Sequence, residues 1–458
     1  TREQAPPTLT SPILLRPSGA ATPPPPGWGG GRRPPGAHPP SLPACCGGGA
    51  ANNQPPPTTP ATVVSASMIS AVPFFILAIS SSSSSRMSAS LSAGRGSGSS
   101  AWPTMLRPSS DHCIEYCDSI SNHDKSSAAA AIRSVPAVMN YVSSETTEIS
   151  ARRDVGGSDS TLIGAIWEPT VIRVANARLG KRGDTENKLT LDRNGFELVS
   201  KTDQDPAVKM IKQLDFLDQD QIIKNYYPVC EQIVSDAIQS QKAADSSPPI
   251  AAVFAFDHNI QNPAGIVHAD YTRTSAPKRL DDLSKPPKLN DVLRDKLLAE
   301  NRNSLLDPQM VQEALGGKRR FAFVNVWRNL DAENPVKDCP LACVDASTST
   351  MRDLRVFKIH YVDRVGENYF VCPSSTKSGH NNQHDWYYYP EMTMSEALLL
   401  KQWDSLGGIA HGSEADDEDD SRPSTFTIHS ALIDPSCPPN APTRVSIEVR
   451  CVVVWETD

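Results

Sequence analysis

From Arg444 to Arg450 the chain reads Arg-Val-Ser-Ile-Glu-Val-Arg, so that Arg444, Ser446, Glu448 and Arg450 share one face of an extended strand while Val445, Ile447 and Val449 share the other. Residues 444–455 are therefore predicted to form a strand. Further β-like runs fall at 250–256, 321–327, 354–361, 369–372, 386–389 and 425–433, separated by Pro, Asn and Asp clusters. Residues 189–198 alternate around Asn194-Gly195 and predict a strand, a turn and a second strand. Between 206 and 241 the period changes. Ile222, Ile223, Tyr226, Val229, Ile233 and Ile238 recur at helical spacing and predict an amphipathic helix. Shorter helices are expected at 290–301 and 308–315, and Thr393-Met394-Ser395-Glu396 reads as a capping box, although 397–403 also suits a strand. Many short strands with helices between them predict a mainly β chain. The expected architecture is a double-stranded β-helix, or jelly roll, with flanking helices and a core from about residue 250.

Composition shortens the part that can fold. Of 458 residues, 40 are Pro, and residues 1–110 are Pro, Gly, Ser and Ala with few bulky apolar side chains, too few to offset the entropy of ordering. This stretch is expected to be a disordered leader, followed by a linker at 111–136 and a folded domain at 137–458. Inside the leader an apolar core from Met68 to Ile79, too short to span a bilayer, precedes a Ser run and Arg86, Arg95 and Arg107, with no acidic residue between Glu3 and Asp111. A signal-peptide core followed by an acid-poor, Ser-rich stretch has the form of a two-part plastid presequence; without targeting, the protein would stay cytoplasmic. No transmembrane segment is expected in the mature domain. A net charge of −8 argues against nucleic acid as a partner. The 10 Cys lack the regular spacing of a disulfide framework and read as mostly reduced thiols.

Chemistry concentrates at Val267-His268-Ala269-Asp270-Tyr271. In extended backbone, residues i and i+2 point to the same side, so His268 and Asp270 can hold adjacent positions on one ion. A third ligand must come from elsewhere. His411 lies in a Gly-rich segment running into an acidic cluster, a poor mount for a ligand, whereas His429 lies in a β-like run. Two His and one carboxylate with the remaining positions open is the arrangement of non-haem Fe(II) oxygenases. The Cys339 and Cys343 pair is a weaker metal candidate, because no second pair answers it at zinc-site spacing. On the strand after His429, the polar row faces water in the ordinary case. If helices cover its apolar row, Arg444 and Ser446 instead face the barrel mouth, where a guanidinium and a hydroxyl suit a carboxylate ligand. Asn325 and Arg328 are candidates to orient a polar or acidic substrate.

Residues 137–455 resemble the AsaB-like, gibberellin-desaturase-like family of hydroxylase/desaturases, related to the cephem methoxylase component. The likeness rests on Val267 to Thr272, Asn325-Val326-Trp327-Arg328, Pro340 to Asp345, Trp386 to Met392, Lys401 to Ser405, and His429-Ser430-Ala431 through Arg444 to Arg450. It implies Fe(II), 2-oxoglutarate and O2 as reactants, a small-molecule substrate, oxidation to an alcohol or an alkene, and His268, Asp270 and His429 as the metal triad. Val445 stands where the family commonly has Glu, and an acidic insertion precedes His429. Asn225-Tyr226-Tyr227-Pro228-Val229-Cys230 also matches a motif of plant 2-oxoglutarate dioxygenases, but its helical period argues against that role. A non-catalytic jelly-roll module and a zinc enzyme using the same triad are the alternatives.

Overall fold

The computed structural model describes residues 134–457 apart from short stretches at 153–160, 182–183, 185–186, 242–247, 262–263, 362–363, 375–383, 417–421 and 435–436. The expected leader and the linker up to residue 133 lie outside the described residues. Its strands are β1 (Ser134–Val142), β2 (Ile149–Arg152), β3 (Thr161–Ile163), β4 (Trp167–Asn176), β5 (Phe196–Ser200), β6 (Ile250–Gln261), β7 (His268–Ala269) and β8 (Phe321–Asn329). Then come β9 (Leu341–Val344), β10 (Leu354–His360), β11 (Val365–Val371), β12 (Trp386–Tyr388), β13 (Glu396–Asp404), β14 (His429–Ala431) and β15 (Ser446–Trp455).

The chain is mainly β, and its strands form two sheets. Five strands run in the order β5-β13-β8-β15-β6, and ten in the order β1-β4-β12-β9-β14-β7-β11-β10-β2-β3. From β6 onward the chain shuttles between them: β6, β8, β13 and β15 join the small sheet, and β7, β9, β12 and β14 the middle of the large one. β8, β13 and β15 are buried along their whole length.

The helices are α1 (Pro206–Ile211), α2 (Tyr227–Gln241), α3 (Ser275–Leu283), α4 (Arg294–Ala299) and α5 (Pro308–Leu315), with shorter turns between. α2 packs on β6, β15 and β8, and its Tyr227, Cys230 and Val234 share a core cluster with Ile447, Val449 and Cys451. That contact decides the orientation of β15. With the apolar row taken by α2, the row of Arg444, Ser446, Glu448 and Arg450 turns inward, and all four are buried; Val445, on the other parity, is 47 % exposed.

Local chemistry explains where sequence and structure part. Residues 206–241 are not one helix. The Asp205 carboxylate caps α1, Asp218 caps a second start at Gln219, and a π-turn at Ile222–Tyr226 leads into α2. The plant-dioxygenase-like hexapeptide lies in this helical stretch. The expected strand before Asn194-Gly195 is instead a helical turn, Leu191–Asn194, because Thr190 accepts from the Arg193 N–H and competes with strand pairing. At Thr393 to Glu396 the Glu396 carboxylate does reach back to the Thr393 N–H, at 2.9 Å, yet the chain continues as strand β13: a run buried on both faces suits a central strand. The helix expected at 290–301 is confined to α4.

Gly195 joins the helical turn to β5 at φ 83°. A Cβ there would stand 2.9 Å from the Thr427 Cβ, and its carbonyl accepts from the Lys401 N–H at 2.7 Å. Gly195→Ala is expected to cost roughly 1–3 kcal/mol in urea unfolding, from the left-handed backbone and the clash together; an unchanged midpoint would contradict the packing.

A buried ion cluster closes one end of the small sheet. Arg320 reaches Asp404 through Nε at 3.1 Å and Nη2 at 2.6 Å, Lys401 Nζ lies 3.2 Å from the same carboxylate, and the guanidinium stacks over Trp455 at 4.3 Å.

Candidate metal centre

Main-chain pairing places the first two donors. The Val267 N–H donates to the Asn140 carbonyl at 3.1 Å, β7 pairs with β11 on one side and β14 on the other, and Asp270 follows directly at the strand's end. His429 stands opposite His268 in the antiparallel β7–β14 pair, with ring centroids 4.3 Å apart. His268 Nε2 lies 3.6 Å from Asp270 Oδ1. Donor atoms of His268, Asp270 and His429 all fall within 4.8 Å of one another, the one such group of three among the described residues.

The regular part of β14 is shorter than the expected strand, but its approach is tied down. Thr425 N and Oγ1 donate to Asp416 at 2.6 and 2.5 Å, Thr427 N donates to the Lys401 carbonyl at 2.9 Å, and Thr427 Oγ1 to the Val344 carbonyl at 2.8 Å. His411 is exposed in a turn and does not join the group.

The donor set fits a divalent ion. His268 Nδ1 meets the Ile266 carbonyl at 2.7 Å, which fixes the proton on Nδ1 and presents Nε2 as a lone pair. Burial, and then the neighbouring His429, lowers the His268 pKa to about 4, and burial also lowers that of His429. Both rings are therefore neutral near pH 7, the state a metal requires. Burial would raise Asp270, but His429 and Arg450 outweigh it and hold the carboxyl below its usual range. Asn325 Nδ2 donates to Asp270 Oδ2 at 3.2 Å and leaves Oδ1 toward the histidines. Side-chain exposures of 13 % for His268 and 11 % for Asp270 show that the group is reached from outside.

The inward row of β15 lines the same space. Arg444 Nη1 donates to the Cys339 carbonyl at 2.6 Å, and its guanidinium lies over Trp327 at 5.4 Å. Among the described residues, buried Arg444 Nε and Ser446 Oγ have no hydrogen-bond partner. Such atoms cost free energy unless a ligand satisfies them, and a donor pair of this kind fits a carboxylate. The structure thus brings Asn325, Arg444 and Ser446 to the inner face.

Arg328 is not with them. Three residues from Asn325, it has the opposite parity on β8, pairs with Ile447, and donates to the Tyr226 hydroxyl at 3.0 Å and the Met394 carbonyl at 2.6 Å. The expected substrate contact is replaced by a structural one that ties β8 to the helical stretch. Cys343 pairs with His429 in register, but burial pushes its thiol above the ordinary range and that of Cys339 to about 12. Among the described residues neither joins a group of three possible metal donors.

Two further residues of the inner row belong to the site: Arg450, which the sequence offers as the second candidate for the carboxylate anchor, and Glu448, which carries no role from sequence alone. Arg450 Nη1 holds Asp257 Oδ2 at 2.9 Å and Nη2 lies 3.5 Å from Glu448 Oε1. Burial, with Asp270 adding to it, raises Glu448 to about 7 against the pull of Arg450, His268 and Arg444. Their shared parity with Arg444 and Ser446 is the signal that marks Arg450 and could have found Glu448.

Comparison with known proteins matches residues 138–454 to a protein-family model described as an oxidoreductase/YMDC permease-like domain. The chain belongs to this family. A Methylophilus leisingeri relative, described as an uncharacterized protein in the dcmA 3′ region, is 34 % identical over 197 residues, 39 % of this chain and 80 % of its own. The hydroxylase/desaturase poxK of Penicillium oxalicum is 26 % identical over 309 residues, 62 % of this chain and 79 % of its own. The Fe(II)/2-oxoglutarate-dependent dioxygenase nvfI of Aspergillus novofumigatus is 25 % identical over 288 residues, 63 % and 84 % of the two chains. A solved NvfI structure, an iron and alpha-ketoglutarate-dependent endoperoxidase, covers 72 % of this chain and 100 % of its own at TM-score 0.49 and 20 % identity.

Proposed function

We propose that His268, Asp270 and His429 hold Fe(II) and that Arg444 and Ser446 receive a carboxylate of 2-oxoglutarate. The chain is an Fe(II)- and 2-oxoglutarate-dependent oxidoreductase that hydroxylates or desaturates a small specialised metabolite. The observation that carries this reading is the convergence of two neutral imidazoles and one ionised carboxylate on one point, with the buried Arg444 Nε and Ser446 Oγ, both without a partner among the described residues, on the same inner face. The shuttling of β6–β9 and β12–β15 between two facing sheets supports a double-stranded β-helix.

Bound Fe(II) with 2-oxoglutarate and O2 supplies oxidation of an unactivated C–H bond, releasing succinate and carbon dioxide. The chain's own residues position and shield that chemistry. The Ile266 carbonyl aims the His268 ring, Asn325 orients the Asp270 carboxylate, and Arg450 offsets the buried negative charge of Asp257 and Glu448. Among the described residues no helix is long and apolar enough to cross a membrane.

The test is succinate release from 2-oxoglutarate by the Fe(II)-loaded protein against a library of small metabolites. Iron retained after anaerobic loading with dependent succinate release supports the reading; zinc-dependent turnover without 2-oxoglutarate would sink it. The anchor should give a graded result. Ser446→Ala removes one donor, expected to cost roughly 0.5–1.5 kcal/mol of 2-oxoglutarate binding, and Arg444→Lys about 1.5–3 kcal/mol by losing the planar fork. Both should appear as raised KM with iron affinity unchanged. Because Ser446 Oγ has no partner within the described protein, Ser446→Ala should not lower the melting temperature, which separates a ligand role from a structural one.

A further inference from the structure

Arg328 uses two of its three guanidinium nitrogens to tie β8 to its surroundings, Nε to the Tyr226 hydroxyl at 3.0 Å and Nη1 to the Met394 carbonyl at 2.6 Å. Among the described residues Nη2 makes no hydrogen bond, and no carboxylate lies within ion-pair distance of the guanidinium. The residue is 1 % exposed, yet Nη2 is not sealed off as the Arg444 Nε is. It faces a cavity that Arg328 lines.

That cavity measures about 520 Å³, a size at which proteins hold small ligands. α1, α2 and β5 enclose it together with Arg328, and Val199, Val208, Ile211, Val229 and Ile233 give it apolar walls. The hexapeptide from Asn225 to Cys230, for which the metal chemistry has no use, builds part of it. Its Tyr226, closing the π-turn, takes the Arg328 bond, and its Pro228 and Val229 stand in the wall.

Charge selects the occupant. A buried guanidinium without an anion is costly, and the three acids that line the same cavity are each engaged elsewhere. Glu197 accepts from the Gln241 amide at 2.6 Å and the Leu191 N–H at 3.2 Å, Asp205 accepts from the Ala207 N–H at 2.8 Å to cap α1, and Asp236 accepts from the Gln232 amide at 2.6 Å. Lys201, also in the lining, is exposed and adds a second positive charge. One carboxylate matches the open guanidinium edge with a charge-assisted hydrogen bond, while the walls accept an apolar body and offer a strongly polar one little.

We propose that this cavity is a second ligand site, for a monocarboxylate with an apolar body, such as a medium-chain fatty acid, whose carboxylate accepts from Arg328 Nη2. The site is separate from the metal group. Arg328 has the opposite parity to Asn325 on β8 and pairs with Ile447, of the row that α2 covers, so a ligand held here lies across the small sheet from the inner row. It depends on neither iron nor 2-oxoglutarate.

Calorimetric titration of octanoate into the full chain at pH 7, beside octanol and acetate, separates the contribution of the charge from that of the apolar body. One octanoate per chain is expected, bound about tenfold or more tighter than octanol, with no detectable binding of acetate. Arg328→Gln should erase the preference for octanoate over octanol. Val229→Trp fills the cavity from a half-buried position on α2 without touching the Arg328 bonds, and should abolish binding of both. Arg444→Lys, on the inner row, should leave octanoate binding unchanged. The proposal is overturned if octanoate binds the wild type no tighter than octanol, if the preference survives in Arg328→Gln, if binding survives in Val229→Trp, or if Arg444→Lys removes it. Should Arg328→Gln not fold, the Val229→Trp and Arg444→Lys titrations decide between this cavity and the inner row.

Discussion

His429→Ala is expected to reduce iron retention to background and abolish succinate release, while His411→Ala leaves both at wild-type level. The asymmetry comes from geometry. Without His429 only His268 and Asp270 remain, two donors from one short segment. Loss of a supporting partner of a metal ligand already costs about 10–100-fold in affinity, and loss of the ligand itself should exceed that. His411 sits exposed in a turn and contributes no donor to the group. Metal analysis after anaerobic loading and dialysis, with circular dichroism to verify folding, measures the difference. A dead His411→Ala beside an active His429→Ala would refute the triad.

Asp404→Ala should be the most destabilising single change at the closed end of the small sheet, by about 3 kcal/mol, because it removes the one buried carboxylate that Arg320 and Lys401 share and leaves them only the more exposed Asp192. Asp404 is fully buried, and both cations lie within 3.2 Å of its carboxylate. Burial alone would raise its pKa; Arg320 and then Lys401 reverse that and hold it low. A carboxyl depressed in the folded state lends stability above its unfolded pKa, about 3.9, and loses it as pH falls through the lower folded value. The gap between wild type and Asp404→Asn in urea unfolding should therefore be full at pH 7 and shrink below about pH 4. A gap independent of pH would show that packing rather than charge holds the cluster together.

The candidate metal group is legible in the sequence because its signal is local: a two-residue spacing in extended backbone needs no tertiary information to place His268 beside Asp270. His429 is legible from the character of its flanks, against the Gly-rich and acidic surroundings of His411. The inner row of β15 is visible as a row, but which side it faces depends on α2 covering Ile447 and Val449, a contact between segments some 200 residues apart. Its burial turns Glu448 and Arg450 from ordinary surface charges into parts of the site. Arg328 is misplaced by the sequence for a simpler reason. Nearness to Asn325 along the chain suggests nearness in space, whereas a separation of three on a strand puts the two on opposite faces. The helix boundaries around 206–241 escape detection because Asp205 and Asp218 break a hydrophobic period that runs on past them.

The anchoring of Thr425 and Thr427 has a consequence for how such a protein can diversify. Asp416 takes hold of Thr425, and Lys401 and Val344 take hold of Thr427, so the register of His429 is set downstream of the acidic segment 417–421. Lengthening or rewriting the chain between Asp416 and Thr425 leaves those two residues clamped to each other, and each doubling of such a length adds only about 0.6 kcal/mol of closure entropy. The sequence between these two anchors is thereby free to change while His429 stays in place.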